Sequence, residues 1–313
     1  MGDFSPTLTQ RQAQERTARR VVFVLSALPL VLIIYITAAL FTRFWPLLEQ
    51  YSLWDLLIGT QWYPMQGKFG FLPFITGTLW VTAVGVFLAV PPCLLTAFYL
   101  SEYARPLTRV LLKPVLDVLA ALPSVIYGVW GVLAVVPFVG NQLRPVFSQY
   151  LGWIPLFSSH QPTGYSILAG GIVLAVMIAP FLIAVTYEVL MTAPQDWRLG
   201  SLGLGATRWQ TIRYVLFRQS LPGILAGVVL GTSRALGETM AVLMVVGNVP
   251  QMPRSIFDAA YPLPALIANN YGEMMSVPLY DAALLGAAVL LLVIVLAFNV
   301  ASTLVLQRVL ARR

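Results

Sequence analysis

Apolar residues gather in long runs at roughly 21–42, 74–100, 110–138, 166–190, 223–247 and 281–307, separated by polar or proline-rich stretches. Each run reaches the roughly 20 residues that an α-helix needs to cross a bilayer, so the pattern predicts six spans. The predicted division is a polar tail at 1–20, a first anchor at 21–42, a loop at 43–73, a helical bundle at 74–307 and a basic tail at 308–313. The loop at 43–73 holds Trp45, Trp54, Trp62 and Tyr63, aromatics suited to the headgroup layer. A second loop is expected at 139–165. A third, at 248–280, has Pro250, Pro253, Pro262, Pro264 and Pro278 and is expected to hold a short helix or re-entrant piece. Pro91 and Pro92, Pro123 and Pro137, and Pro180 fall inside predicted spans, where each removes a backbone donor and kinks the helix. In lipid the freed carbonyls must find partners inside the protein, which points to a bundle around an internal path.

Composition agrees with this pattern: 58% of residues are hydrophobic and 10% charged, against about 25% charged in a typical soluble domain. The expected class is an all-α polytopic membrane protein. Its net charge of +7 reports topology and gives no reason to expect nucleic acid as a partner. Arg11, Arg16, Arg19 and Arg20 precede span one, and Arg105, Arg109 and Lys113 follow span two. Arg198, Arg208, Arg213 and Arg218 follow span four, and Arg308, Arg312 and Arg313 end the chain. Only Arg43, Lys68, Arg144 and Arg254 fall on the other side, so the positive-inside rule predicts cytoplasmic termini.

Span one is too long for a signal peptide and lacks a small-residue cleavage site, so it is expected to act as an uncleaved anchor. The lone Cys93 forms no internal disulfide and is expected to be a packing residue. His160, without Cys or clustered carboxylates, makes no metal site and is expected in a surface loop. Trp62 stands where a phosphate-cradling loop ending in Gly67-Lys68 would need its first Gly. No hydrolase or zinc-protease motif appears either, so neither a cofactor nor an enzymatic activity is expected of this chain.

Candidate chemistry lies in span five, which contains "GTSRALGETMAV" at 231–242. Gly223, Gly227, Gly231 and Ala235 recur every four residues, a small-residue ridge that lets another helix approach closely. On a helical wheel that starts at Gly223, Arg234 falls at about 20° and Glu238 at about 60°, so both are expected on the packing face. A charge at a helix centre costs about 2.5–3.5 kcal/mol on insertion scales. Spacing of one turn lets the two offset each other, and a purely structural salt bridge is one reading. An apolar pair would pack there at lower cost, however. Guanidinium also presents a rigid fork of donors that matches tetrahedral oxyanions. The functional reading is that Arg234 contacts a passing anion while Glu238 holds the guanidinium in place and neutralises it between events.

The loop at 191–222 offers a second candidate. It has a Pro and Asp start, glycines at Gly200, Gly203 and Gly205, then Trp209, Ile212 and Leu216 on one helical face. Two short helices joined at the glycines are expected, the second lying on the membrane surface. This element is either a basic interfacial helix without a partner or a docking element for a cytoplasmic subunit.

Three strings, "LAALPSVIYGVWG" (119–131), "LAGGIVLAVMIAPFLIAV" (168–185) and "GTSRALGETMAV" (231–242), resemble the PstC-type permease family of binding-protein-dependent ABC importers for phosphate. The resemblance runs from about residue 70 to the C-terminus. It implies a six-span fold of the ABC-importer permease (MetI-like) type in the bacterial inner membrane. A second homologous permease, two copies of a cytoplasmic ATPase and a periplasmic phosphate-binding protein are the implied partners. It also implies that Arg234 and Glu238 lie on the substrate path, with Ser233, Thr239, Ser124 and Tyr127 as further lining. Loop 191–222 corresponds to the ATPase-coupling loop, with Gly200, Ser201, Gly203, Gly205, Thr207 and Trp209 as coupling residues. Gly205 keeps the family's Gly, but Leu199, Gly200 and Ser201 replace its Glu-Ala-Ala. Phe217-Arg218 stands where Leu-Pro is expected, with Leu221-Pro222 four residues later. A permease for another oxyanion or small solute, an ion-coupled carrier or channel, and a membrane scaffold are the alternatives.

Overall fold

A computed structural model gives the fold of residues 8–158, 163–273 and 276–311. His160, Arg312 and Arg313 lie outside the described residues. Among the described residues, six helices are long and apolar enough to cross a membrane. They are α1 (Leu8–Gln50), α3 (Leu72–Tyr103), α5 (Ser124–Leu151), α6 (Ile167–Met191), α8 (Arg208–Leu236) and α11 (Tyr280–Ala311). Between them lie α2 (Leu53–Ile58), α4 (Pro106–Ala121), α7 (Gln195–Gly203), α9 (Met240–Leu243) and α10 (Leu263–Asn270). A small antiparallel hairpin pairs β1 (Trp62–Tyr63) with β2 (Lys68–Phe69) across a tight turn that ends at Gly67, φ 69°. With an even number of spans, the two ends of the described chain share one face of the bundle.

The apolar run at 110–138 is not one span. Leu122 is extended (ψ 136°) because Pro123 disfavours helix at the residue before it. That break separates α4, whose Leu107, Val110, Leu111, Val115 and Val118 are exposed, from α5. Because α4 carries an apolar face of its own, the two helices read as one run in sequence. The spanning helix starts at Ser124 and continues to Leu151, through the first part of the loop expected at 139–165. Pro137 is accommodated inside it by π-helical turns at Gly131–Val135 and Val139–Leu143, which absorb the missing donor.

The centre of the bundle is α6, packed mainly on α3. A Cβ at Gly85 would lie 2.9 Å from Leu174 Cδ2, and one at Gly170 3.2 Å from Val81 Cγ1. These small residues bring the two backbones together where lipid provides no hydrophobic drive between helices. In contrast, the most apolar stretch of α1 buries nothing in this chain. Helix α1 is fastened near its C-terminal end, where Phe44 and Leu47 are buried and the Phe44 ring lies against Gly286 of α11. Hydroxyls within the spans mostly bond back to their own helix: Thr78 to Phe74 O, Thr96 to Pro92 O and Thr232 to Val228 O, each 2.8 Å. Trp45 and Trp54 are exposed, as headgroup aromatics would be. Trp62 is instead half-buried, its ring 5.0–6.3 Å from Phe69, Phe71, Phe74 and Tyr280. The hairpin turns it inward.

Candidate functional site

Span five breaks at the motif that the sequence singles out. Helix α8 stops at Leu236, Gly237 caps it, and the chain re-enters helix only at Met240. Glu238 therefore lies off the helix, and its Oε1 accepts from the Ala241 backbone N–H at 3.2 Å, one of the unpaired donors at the start of α9. The one-turn pairing of Arg234 with Glu238 expected from continuous helix does not form, and among the described residues no carboxylate lies within 4 Å of Arg234. Arg234 occupies the last turn of α8, where the helix dipole favours a cation. Its guanidinium carbon lies 5.9 Å from the ring centre of Phe181 on α6, and Tyr127 of α5 is within electrostatic reach.

The small-residue ridge packs against α6. A Cβ at Gly223, Gly227 or Gly231 would lie 2.6 Å from Val189, 2.9 Å from Val185 and 2.7 Å from Leu182 respectively. Arg234 does not share that face: it is exposed, while Ala235 beside it is 3% exposed. Each four-residue step rotates the ridge by about 40°, so by Ala235 it has turned well away from Arg234. A wheel drawn from Gly223 hides this drift.

The strings "LPSVIYGVWG" and "RALGETMAV" meet in space. Gly128 of α5 faces α9, where an added Cβ would lie 2.6 Å from Met244 Sδ and 3.3 Å from Ala241 Cα. At Gly131 it would meet Val173 and Val245 at 2.6 and 2.7 Å. Tyr127 is buried and its hydroxyl donates to Leu119 O at 2.8 Å, bracing the corner between α4 and α5. Ser124 opens α5. Thr239 Oγ1 donates to Gly237 O within the break. Ser233 turns to span six, donating to Asn299 Oδ1 at 2.9 Å. Asn299 lies outside the motif strings, although a lone Asn in the apolar run 281–307 is a signal in itself, and Phe181 lies within the string 168–185 without being singled out there.

At the end of the bundle where α3 and α6 finish, α7 projects with Trp197, Leu199 and Leu202 exposed, and Leu204 just beyond it is 91% exposed. Gly200, Gly203 and Gly205 have open space around them, and Gly205 is left-handed at φ 86°. Thr207 caps the next helix through a reciprocal capping box with Gln210. That helix is not a separate element on the membrane surface. It continues from Arg208 into span five, burying Ile212 and Leu216 and leaving Trp209 exposed. Ser201 Oγ lies 3.0 Å from Thr211 Oγ1. Arg198 donates from Nε to Glu102 Oε1 at 3.0 Å, from Nη1 to Ala193 O at 3.1 Å and from Nη2 to Leu190 O at 2.8 Å. Beside these residues a cavity of about 450 Å³ is lined by Arg109, Arg198, Arg208 and Thr211, among others.

Six apolar spans, a charged span broken beside a close-packed neighbour, and a short helix projecting from one end with exposed Trp197, Leu199 and Leu202 define a polytopic membrane protein with an unpaired inner element. The chain belongs to the family described as the binding-protein-dependent transport system inner membrane component, which matches residues 94–313. It is 37% identical over 214 residues to the phosphate transport system permease protein PstC of Haemophilus influenzae, covering 67% of each chain. Over 295 residues it is 31% identical to a probable PstC of Methanocaldococcus jannaschii, covering 91% of this chain and 93% of that one. In fold it is similar to a bacterial ABC transporter involved in alginate import (TM-score 0.62, 16% identity, 95% of this chain and 99% of that one). It is likewise similar to the MetNI methionine ABC transporter (TM-score 0.54, 20% identity, 74% and 93%). The chain is thus a multi-pass inner-membrane permease component of an ABC importer, a family that works with an ATPase and a binding protein. Membership sets aside the stand-alone carrier, channel and scaffold readings.

Proposed function

We propose that this chain forms half of the transmembrane path of an ATP-driven importer of inorganic phosphate. Kinship with several permeases named for phosphate transport supports the substrate. Arg234 carries the chemical case: an exposed guanidinium inside an apolar span with no carboxylate within 4 Å among the described residues. Its fork of donors matches a tetrahedral oxyanion. Glu238 caps α9, shapes the break and offsets the local positive charge, and Thr239, Ser124, Tyr127 and Ser233 are further candidates for lining the path. A second homologous permease closes the path against the exposed side of Arg234. Two copies of a cytoplasmic ATPase dock on α7, and a periplasmic phosphate-binding protein delivers substrate at the opposite end. The arginine-rich ends of the spans support cytoplasmic termini.

The test is phosphate uptake by the complete importer in proteoliposomes containing Arg234→Ala or Arg234→Lys. A hydrogen bond to a charged group is worth about 1.5–3 kcal/mol, so Ala is expected to cut uptake about 10- to 100-fold. Lys should retain part of it. Unchanged uptake with Ala refutes the anion contact. A wild-type complex that carries another oxyanion in preference to phosphate refutes the substrate.

A further inference from the structure

Helix α7 buries none of its residues, so what holds it to the bundle is a short set of polar contacts. Arg198 makes most of them. All three guanidinium nitrogens are engaged, reaching Glu102 in the last turn of α3, Leu190 O at the end of α6 and Ala193 O in the loop between α6 and α7. The pair is sheltered, with side chains 18% and 13% exposed, whereas the pairs Arg43–Asp281 and Lys113–Glu188 are open to solvent at 3.8 and 3.9 Å. Shelter strengthens the attraction and frees it from salt screening. Glu102 sits in the π-helical turn Tyr99–Tyr103, and Thr211, which Ser201 of α7 contacts, opens a second π-helical turn, Thr211–Leu216. Such turns often mark functional positions in helices.

We propose that Arg198 and Glu102 form a positioning latch that carries displacement of α7 into spans two and four. The contact from Ser201 to Thr211 does the same for span five. The inference rests on the proposed docking of an ATPase on α7 and adds the means by which docking moves the path. Neither residue touches substrate. Their role is to make α7 and the inner ends of two spans move as one piece. Without the latch α7 can follow the ATPase while the spans stay behind, so hydrolysis continues and transport does not.

The experiment uses the complete complex of both permeases, ATPase and binding protein in proteoliposomes, with Glu102→Gln (near-isosteric, charge removed) and Arg198→Lys (charge kept, fork lost). Assembled complex, ATP hydrolysis with and without binding protein, and phosphate uptake are measured together. Both variants are expected to assemble and hydrolyse ATP. The number of ATP consumed per phosphate should rise about tenfold, the change that follows from weakening a charge-assisted bond by about 1.4 kcal/mol. A ratio unchanged from wild type overturns the latch. So does a parallel fall of hydrolysis and uptake with the amount of assembled complex, the result a merely structural pair would give. If the wild-type complex hydrolyses ATP but imports no phosphate, the substrate reading fails alone. The latch is then judged by whether binding-protein stimulation of hydrolysis persists in the variants, as expected for wild type, or is lost, as the latch requires.

Discussion

Replacing Gly131 by Ala should disturb the site more than any comparable change in α5. The added methyl would sit 2.6 Å from Val173 Cγ2 and 2.7 Å from Val245 Cγ1, where carbons normally approach to about 3.5–4.0 Å. Both valines are fully buried, and a β-branched side chain has little freedom at χ1 to move aside. Overpacking of this kind costs about 1–3 kcal/mol. Gly128→Ala makes an equally short contact with Met244 Sδ, but that thioether is flexible and can swing away, leaving the backbone Cα of Ala241 at 3.3 Å. The expected order of melting temperature in detergent is therefore wild type, Gly128→Ala, then Gly131→Ala. Because Val245 follows α9 and the break after Arg234, phosphate uptake should fall in the same order. Combining Gly131→Ala with Val245→Ala removes one of the two clashes and should recover part of the loss. A Gly131→Ala chain that melts like wild type refutes the packing argument, as does a double variant that melts lower by the sum of the two single losses.

Two further outcomes separate the roles of neighbouring residues. Gly205→Ala has ample space but a left-handed backbone (φ 86°), whereas Gly200→Ala is helical and open. The first should destabilise the loop by more than about 1 kcal/mol while the second is neutral or mildly stabilising, readable as opposite shifts in protease resistance of α7. Glu238→Gln retains an oxygen for the Ala241 N–H and should lower uptake only slightly. Because Arg234 and Glu238 form no salt bridge, adding Glu238→Ala to Arg234→Ala should not restore uptake, and restoration would favour a salt bridge that matters only structurally.

The six-span architecture was legible because an apolar run of sufficient length has few alternatives. Where spans begin and end was less so, because the bilayer tolerates breaks that leave the composition unchanged. Pro123 and Gly237 are local signals with known effects on helix continuity. Each sits inside an apolar run, and hydropathy alone passes over both. Ridge glycines were visible at their four-residue spacing, but their drift around the helix took Arg234 off the packing face. Meeting of the two motif strings at Gly128 and Ala241 was beyond any one-dimensional pattern, since more than 100 residues separate them. Likewise Glu102 reads as an ordinary charge at the end of a span until the fold brings Arg198 to it.

The break in span five also has an electrical consequence. Cells hold the inner side of this membrane negative, and moving one elementary charge through 100 mV takes about 2.3 kcal/mol. An anion entering the cell runs uphill in that field. On the path proposed above, a cation anchored in the last turn of a packed helix stays where it is while the anion passes, so Arg234 would lower the electrical hump and return none of the work. The full climb then falls to ATP, and for phosphate bearing two charges it is twice as steep as for phosphate bearing one.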